Sequence, residues 1–246
     1  MWHSSPPPVP KPHDDGTTNR VGGMPFDAVL FDCDGVLVDS ERITNAVLRS
    51  MLQDLGWQIS EEEGFRRFVG RALTDEVGVI EEHTGFAVTS EWIAEFRRRR
   101  DEALAVSLQP IPGAIDAARQ IAKLYEGRVA VASGADRRKI ELQLTKVGLD
   151  DVFAGQIYSG METAYSKPAP DVYLAAAAGL GIDPARAVVV EDTPTGVRAG
   201  VAAGATVLGY CPPDSFAHHE PAVLLRAGAT RTFSDMALLG AEIQSL

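Results

Sequence analysis

The chain has 246 residues, of which 45% are hydrophobic and 23% are charged, values typical of a globular protein with one large or two small domains. Its 34 acidic and 23 basic residues give a formal net charge of −11, which argues against a nucleic-acid-binding surface. No apolar run reaches the length of a membrane span, and 2 cysteines provide neither a disulfide framework nor the spacing of a zinc site. We expect a cytoplasmic protein without nucleic-acid or membrane partners.

The N-terminal segment, residues 1–24, differs in composition from the rest of the chain. It is rich in proline and small polar residues and shows no hydrophobic period. A segment of this kind buries too little apolar surface to fold, so we predict a disordered tail. A short binding motif within the proline stretch is the less favoured alternative.

The first predicted strand, about Asp27 to Asp32, ends in a pair of acidic residues. Asp32 and Asp34 are two positions apart, so both side chains lean to the same side where the strand gives way to a loop. Gly35 then permits a backbone turn that is closed to other residues. Two carboxylates at the C-terminal edge of a parallel strand suit a hard cation, although an acidic strand-to-loop turn would give the same pattern.

Helical periodicity then continues for a long stretch without a strand. The predicted helices begin near Glu41, Ser60, Thr74 and Glu91, and they end near Gly56, Val69, His83 and Val106. A capping box formed with Glu63 marks the start of the second helix. We therefore predict an inserted all-helical cap, residues 41–108, whose hinges are the turns Val36–Ser40 and Gln109–Pro112.

Strands and helices alternate after this helical stretch. The predicted helices are Gly113–Leu124, Asp136–Val147, Pro170–Leu180 and Pro194–Ala203, and the predicted strands are Arg128–Ala132, Gln156–Tyr158, Ala187–Glu191 and Thr206–Tyr210. Such alternation implies a parallel sheet with helices on both faces. The predicted fold class is therefore α/β, a doubly wound parallel sheet formed by residues 25–40 and 109–246, with the helical cap inserted between them.

Further polar residues follow other predicted strands or lie in a stiff loop. Ser133 and Gly134 follow an apolar strand, Lys167 lies beside Pro168 in a stiff loop, and Glu191 and Asp192 end a fully apolar strand. In a doubly wound sheet all of these positions meet the end of the first strand in one crevice. Taken separately, they could be a helix cap, a solvated lysine and partners of a helix dipole. Taken together, they predict a site.

These segments, in this order, resemble the motifs of the haloacid dehalogenase-like (HAD) superfamily of aspartate-nucleophile hydrolases. The resemblance runs from Phe26 to the C-terminus and points to the branch that contains β-phosphoglucomutase, small sugar-phosphate phosphatases and the 6-phosphogluconate phosphatases. It implies a Rossmann-like core with a cap. It also implies a Mg²⁺-dependent phosphatase that hydrolyses a small phosphorylated metabolite, a sugar, sugar-acid or polyol phosphate, through an aspartyl-phosphate intermediate.

Chemistry and resemblance together assign the metal ligands. Mg²⁺ prefers oxygen ligands, and Asp32 and Asp192 are the natural carboxylates for it. The resemblance adds the backbone carbonyl of Asp34. Glu191 lies close enough in sequence to bind the ion directly or through water.

The same resemblance implies the catalytic roles. Asp32 would attack phosphorus, and Asp34 would act as general acid and then as general base, for which its pKa should be raised by burial and the neighbouring carboxylate. Lys167, the Ser133 hydroxyl and the backbone N–H groups after Gly134 would bind the phosphoryl oxygens.

Several other positions have weaker assignments. Asp39 and Ser40 could touch the leaving group or merely start the cap helix. Arg71, between two predicted cap helices, is a candidate for gripping a remote anionic group of the substrate, against the simpler interpretation of a solvated arginine. The run Arg97–Arg100 spreads around a helical turn and predicts a solvated face. We expect Cys33 to pack behind the site and not to act as a nucleophile.

Two other functions stay open. A β-phosphoglucomutase-like phosphosugar mutase would carry similar motifs, but mutases of this type resemble one another in a histidine where this chain has Thr44, which favours hydrolysis. A phospho-accepting or silent interaction protein would need neither a second acid at Asp34 nor a cap.

The expected assembly is a monomer or a weak homo-oligomer.

Overall fold

A computed structural model of the chain describes residues 24–68, 73–212 and 219–246. The predicted tail thus lies outside the described residues, apart from Met24. The β-strands are β1 (Ala28–Phe31), β2 (Val38–Asp39), β3 (Gln109–Pro110), β4 (Val129–Ser133), β5 (Ile157–Ser159), β6 (Ala187–Glu191), β7 (Thr206–Tyr210) and β8 (Arg231–Phe233). The α-helices are α1 (Glu41–Asp54), α2 (Glu61–Phe68), α3 (Val77–Thr84), α4 (Ser90–Ser107), α5 (Ala114–Leu124), α6 (Arg137–Val147), α7 (Asp171–Gly179), α8 (Pro194–Ala202), α9 (Pro221–Ala227) and α10 (Leu239–Gln244).

The main sheet confirms the predicted α/β class. Within the described ranges it has 6 parallel strands in the order β5-β4-β1-β6-β7-β8. In the centre, Val29 of β1 is paired with Val129 of β4 on one side and with Val188 of β6 on the other. The chain adds β4 and β5 on one side of β1 and then β6, β7 and β8 on the other side. At such a switch of side, the carboxyl ends of β1, β4 and β6 border a crevice.

Alternate residues of β1 face two separate hydrophobic cores. Val29 and Phe31 pack on one face of the sheet, whereas Leu30 packs on the other. A strand that is covered on both faces is apolar throughout, which explains the Ala, Val and Leu runs of the three central strands. Ser133 and Glu191 are the last residues of β4 and β6, so these strands bring polar side chains to the crevice.

Helices α1 to α4 lie between β2 and β3 and form what we call the helical insert. Its members share a hydrophobic cluster that includes Leu48, Leu52, Ile80 and Phe96. At the second helix the structure shows one half of the predicted capping box, where the Ser60 hydroxyl accepts a hydrogen bond from the backbone N–H of Glu63 at 3.1 Å, and the Glu63 carboxylate accepts from Arg67 at 2.9 Å. Helix α4 packs against α6 of the sheet layer, which places the insert over the crevice.

The structure corrects two boundaries of the insert. The hinges were predicted as turns, but Val38 and Asp39 form a short antiparallel ladder with Pro110 and Gln109. Strands of two residues are too short to produce a hydrophobic period. Thr74 was predicted to open the third helix, but it lies in a 3-10 turn, Leu73–Glu76, and α3 begins only at Val77.

The C-terminal segment adds elements that the sequence did not reveal. Strand β8 forms the far edge of the sheet with α9 packed beside it, whereas α10 packs against α5. Leu224, Leu239 and Ile243 of these helices are buried. Each element has seven residues or fewer, which leaves too few turns for a helical or alternating pattern to emerge. Across the described ranges, no helix is both long and apolar enough to cross a membrane.

Candidate active site

A cavity lies between the carboxyl ends of the central strands and the helical insert. The sheet layer contributes Asp32, Asp34, Ser133, Gly134, Asp136, Lys139, Lys167 and Glu191 to its lining. The insert contributes Glu41, Thr44, Asn45, Leu48, Phe68, Phe96, Arg97 and Arg100. The structure therefore brings most of the residues predicted for the site into one space.

Asp32 lines the cavity directly after β1. Lys167 reaches it from the loop before α7, and its Nζ donates hydrogen bonds to Asp32 Oδ1 and to Glu191 Oε1, both at 2.7 Å. The Tyr173 hydroxyl also accepts from Lys167, at 2.9 Å. Burial raises the pKa of Asp32 to about 7, although the Lys167 ammonium opposes the shift.

Glu191 is held mainly by groups of its own loop. Its Oε2 accepts hydrogen bonds from the backbone N–H groups of Asp192 and Thr193 and from the Thr193 hydroxyl, all at 3.0 Å. Its Oε1 takes the bonds from Lys167 and, at 3.0 Å, from the Tyr173 hydroxyl. Glu191 thus fixes Lys167 and the loop that leads into α8.

A cluster of carboxylates fits a divalent cation. Among the described residues, Asp32, Glu191 and Asp192 are buried and present oxygen atoms that lie within 4.8 Å of one another. Burial, together with the charges of Glu191 and Asp32, raises the pKa of Asp192 well above its usual value. An all-oxygen donor set with excess negative charge is what a hard divalent ion such as Mg²⁺ prefers, so the residues present fit such an ion. The Asp34 carboxylate is outside this cluster.

Gly35 makes room for the cluster. Its φ of 78° lies in the left-handed region, and a Cβ at this position would collide with the Asp192 carboxylate. Both observations explain why the turn after Asp34 needs glycine.

The Asp34 carboxylate turns toward α6. Lys139 Nζ donates to both Asp34 oxygens at 2.8 Å, Gln143 Nε2 donates to Oδ1 at 2.7 Å, and the Ser40 hydroxyl donates to the same oxygen. Burial alone would raise the pKa of Asp34, but the Lys139 ammonium and these hydrogen bonds lower it below its usual value. The predicted rise was therefore wrong, because Lys139 lies 105 residues away in sequence and its approach was not foreseen.

The sequence analysis also missed Gln143 and Glu41. Lys139 and Gln143 are four residues apart, so they share one face of α6, and a polar pair beside the buried Ile140 and Leu144 was the available signal. Glu41 opens α1 and lines the cavity. Burial raises its pKa to about 7, and the negative charge of Asp34 adds to the rise.

Ser133 and Gly134 lie where the sequence predicted, at the end of β4. Ser133 is buried, and its hydroxyl accepts a hydrogen bond from the backbone N–H of Ala135 at 3.2 Å. It does not cap α6, because Asp136 does so by accepting from the backbone N–H of Lys139 at 3.0 Å. Ser133 also lines the cavity.

The weaker predictions have different outcomes. Ser40 is buried and binds Asp34, whereas Asp39 belongs to the β2–β3 ladder. Arg71 lies outside the described residues, so its assignment stays a prediction. Cys33 packs behind the site as expected, since it is buried, its thiol donates to Gln143 Oε1 at 3.4 Å, and burial raises its pKa well above the usual value.

The arginine run does not form one solvated face. Arg98 and Arg99 are exposed and pair with Glu95 at 2.7 Å, as that interpretation predicts. Arg100, however, is buried, and Arg97 lines the cavity. Four successive helical positions point in different directions, and one side of α4 faces α6 and the cavity.

Arg100 links the helical insert to the sheet layer. Its Nη2 lies 2.7 Å from Asp101 Oδ1 and 3.0 Å from Asp136 Oδ2. Because Asp136 also caps α6, this ion pair ties α4 to the loop that carries Ser133. The prediction of a solvated arginine at this position was wrong.

Comparisons with known proteins agree with this geometry. A family model described as "Hydrolase: haloacid dehalogenase-like hydrolase" matches residues 26–204. A 6-phosphogluconate phosphatase of Escherichia coli is 27% identical over 203 residues, which cover 80% of this chain and 87% of that protein. Hexitol phosphatase B of Escherichia coli is 31% identical over 183 residues, which cover 72% and 79%. The crystal structure of a HAD family hydrolase from Deinococcus radiodurans with bound phosphate and sodium is 33% identical, with a TM-score of 0.70 and coverage of 90% of this chain and 96% of that chain.

Proposed function

The chain belongs to the haloacid dehalogenase-like hydrolase family, and we propose that it is a Mg²⁺-dependent phosphatase that hydrolyses a small phosphorylated metabolite through an aspartyl-phosphate intermediate. The position of Asp32 carries this proposal. Its buried carboxylate is bound by Lys167 and lies beside Glu191 and Asp192, in the lining of a cavity. Such an arrangement suits an anionic nucleophile whose substrate is also anionic.

Asp32 attacks phosphorus in the first step. A bond forms between its carboxylate oxygen and phosphorus, and the bond between phosphorus and the ester oxygen breaks. Asp34 gives its proton to the departing oxygen, then regains a proton from the water that attacks the aspartyl-phosphate, which frees inorganic phosphate and Asp32. Because the Lys139 ammonium lowers the pKa of Asp34 in the free enzyme, the proton that Asp34 donates enters with the substrate, which binds as the monoanion of the phosphate ester.

The remaining residues bind and orient the phosphoryl group. Lys167 offers its ammonium to a phosphoryl oxygen while it holds Asp32, and the Ser133 hydroxyl and the backbone N–H groups after Gly134 bind the other oxygens. Asp32, Asp192 and the Asp34 backbone carbonyl would hold Mg²⁺, with Glu191 beside them. When bound, the ion neutralises charge that would otherwise repel the nucleophile.

Mg²⁺ should raise the melting temperature of the wild-type protein, because the ion binds carboxylates that are clustered only in the folded state. A concentration 100 times the Kd would add about 2.7 kcal/mol to the free energy of unfolding. Asp192→Asn should reduce this shift strongly, whereas Asp150→Asn, at an exposed site, should keep it. The measurement is thermal unfolding across a Mg²⁺ series. Equal shifts in both variants would rule out Asp192 as a ligand.

The cavity suits a compact substrate that carries a second polar or anionic group. We propose that the helical insert, residues 41–108, acts as a cap that closes over a sugar, sugar-acid or polyol phosphate and excludes water. Arg97 is half-buried in the cavity wall and makes no ion pair with any residue in the described ranges. The charge of Arg97 contributes to the lowered pKa of Asp136, but no carboxylate of the described residues forms a close ion pair with it, so Arg97 can bind a substrate carboxylate, a role that the sequence assigned to Arg71.

Arg97→Ala should raise KM for a sugar-acid phosphate by roughly 10- to 100-fold, because a hydrogen bond to a charged group is lost. The KM for the matching neutral sugar phosphate should change little. Arg98→Ala is the matched control, since it removes an exposed arginine from the same helical turn. The assay is phosphate release over a panel of phosphorylated sugars, polyols and sugar acids, with and without Mg²⁺.

The same panel tests the mutase alternative. β-Glucose 1-phosphate with a trace of the bisphosphate should release free phosphate if the chain is a phosphatase. Rapid conversion to glucose 6-phosphate with little free phosphate would replace the proposed function with a phosphosugar mutase. In the Arg97→Ala test, an equal change in KM for the sugar-acid phosphate and for the neutral sugar phosphate would show that Arg97 does not recognise the substrate carboxylate.

A further inference from the structure

Building on the proposed function, we infer that Lys139 is a positioning residue that holds Asp34 in the orientation from which it meets the leaving-group oxygen. Lys139 Nζ lies 2.8 Å from each Asp34 oxygen, and the lysine side chain is only 8% exposed. Both residues line the cavity. A lysine that bridges both oxygens fixes the plane of the carboxylate and its distance from α6.

The hydrogen bonds on Asp34 are distributed unevenly. Oδ1 accepts from Ser40, Gln143 and Lys139, whereas Oδ2 accepts from Lys139 alone among the residues described. A carboxylate oxygen has two lone pairs, so Oδ1 is fully used and Oδ2 keeps acceptor capacity. Oδ2 is therefore the oxygen that exchanges a proton with the leaving group.

Helix α6 supplies the clamp as a unit. Lys139 and Gln143 are four residues apart and buried on one face of the helix. The Cys33 thiol donates to Gln143 Oε1 at 3.4 Å, which directs the amide nitrogen of Gln143 toward Asp34. Cys33, which lies between Asp32 and Asp34 in the sequence, thus sets the orientation of the Gln143 amide.

The first turn of α6 is anchored at its other side as well. Asp136 accepts from the backbone N–H of Lys139 and from Arg100 of the helical insert. Lys139 therefore projects from the first turn of α6, which is held in place by the sheet layer and by the helical insert. A displacement of about 1 Å in a reacting group can cost on the order of 10²-fold in rate, so an anchor of this kind matters for catalysis.

Lys139→Met tests the inference through its dependence on the leaving group. A sugar phosphate releases an alkoxide that needs a proton, whereas p-nitrophenyl phosphate releases a stable anion that does not. The kcat/KM ratio reports phosphoryl transfer to Asp32 and is independent of the later hydrolysis. We expect kcat/KM for the sugar phosphate to fall on the order of 10²-fold, with a change of a few-fold at most for p-nitrophenyl phosphate.

Control variants separate positioning from folding. Lys146→Met removes an exposed lysine from the same helix and should leave both substrates unaffected. Lys139→Arg keeps a charged donor and should recover part of the loss. Gln143→Leu removes a neutral hydrogen-bond donor and leaves no buried charge unpaired. It should lower kcat/KM selectively for the sugar phosphate, by less than Lys139→Met does. It therefore keeps the inference testable even if Lys139→Met folds poorly.

The outcomes are distinguishable. Selective loss with the sugar phosphate in Lys139→Met or Gln143→Leu, with KM nearly unchanged, supports the inference. Equal loss with both substrates, or no loss, would overturn it and leave the proposed function intact. Failure of the wild-type protein to release phosphate from either substrate would overturn the proposed function and this inference together.

Discussion

Asp32→Asn should abolish phosphate release while leaving the fold intact. The amide has the shape of the carboxylate and can still accept a hydrogen bond from Lys167, but it cannot act as a nucleophile. The substitution also removes one of the buried carboxylates clustered with Glu191 and Asp192, so the metal-free protein should not be destabilised by charge. Phosphate release and thermal unfolding, measured on the same preparation, check both statements.

Asp150→Asn, at an exposed site, is the control for this variant and should retain full activity. If Asp32→Asn instead released phosphate at a rate close to the wild type while Asp150→Asn behaved normally, a nucleophile other than Asp32 would be required. A loss of activity accompanied by unfolding would show that Asp32 is structural.

Asp34→Asn should lower kcat for a sugar phosphate by roughly 10²–10⁴-fold, the usual value of a general acid–base group. Both chemical steps suffer, because the departing oxygen is not protonated and the attacking water is not deprotonated. With p-nitrophenyl phosphate, only the second step should suffer. The variant should therefore release a burst of one p-nitrophenol per active site, followed by slow turnover as the aspartyl-phosphate accumulates.

Rapid-mixing absorbance measurements detect this burst directly. Ser40 and Gln143 can both still bind the amide, but the buried Lys139 ammonium loses its carboxylate partner, so thermal unfolding of the variant is measured on the same preparation. Steady turnover of p-nitrophenyl phosphate without a burst would show that Asp34 does not assist hydrolysis of the intermediate. An unchanged kcat for the sugar phosphate would exclude Asp34 as the acid.

Much of the fold could be predicted because buried parallel strands have a simple signature. The boundaries of β6 and β7 match the predicted strands, Ala187–Glu191 and Thr206–Tyr210, since each is an apolar run bounded by turn residues. The grouping of Asp32, Ser133 and Lys167 was predictable for a related reason. Once a doubly wound sheet is recognised, the positions after its strands share one edge.

The residues around Asp34 could not be predicted by the same means. Lys139 and Gln143 are spaced like any surface pair on a helix, and Arg100 is one of several successive arginines. Which helical face is buried depends on how α4 and α6 pack, and that packing is tertiary. The pKa of Asp34 was predicted with the wrong sign for this reason, because the cation that lowers it comes from another element.

The central claim is that phosphate passes through Asp32, and acid-quenched mass spectrometry tests it most directly. Asp34→Asn is mixed with substrate and Mg²⁺, quenched in acid within the burst, digested and mapped. We expect one phosphoryl group on the peptide that contains Asp32, and none when Asp32 is also changed to Asn. A phosphoryl group on a different peptide, or none at the height of the burst, would contradict the aspartyl-phosphate mechanism.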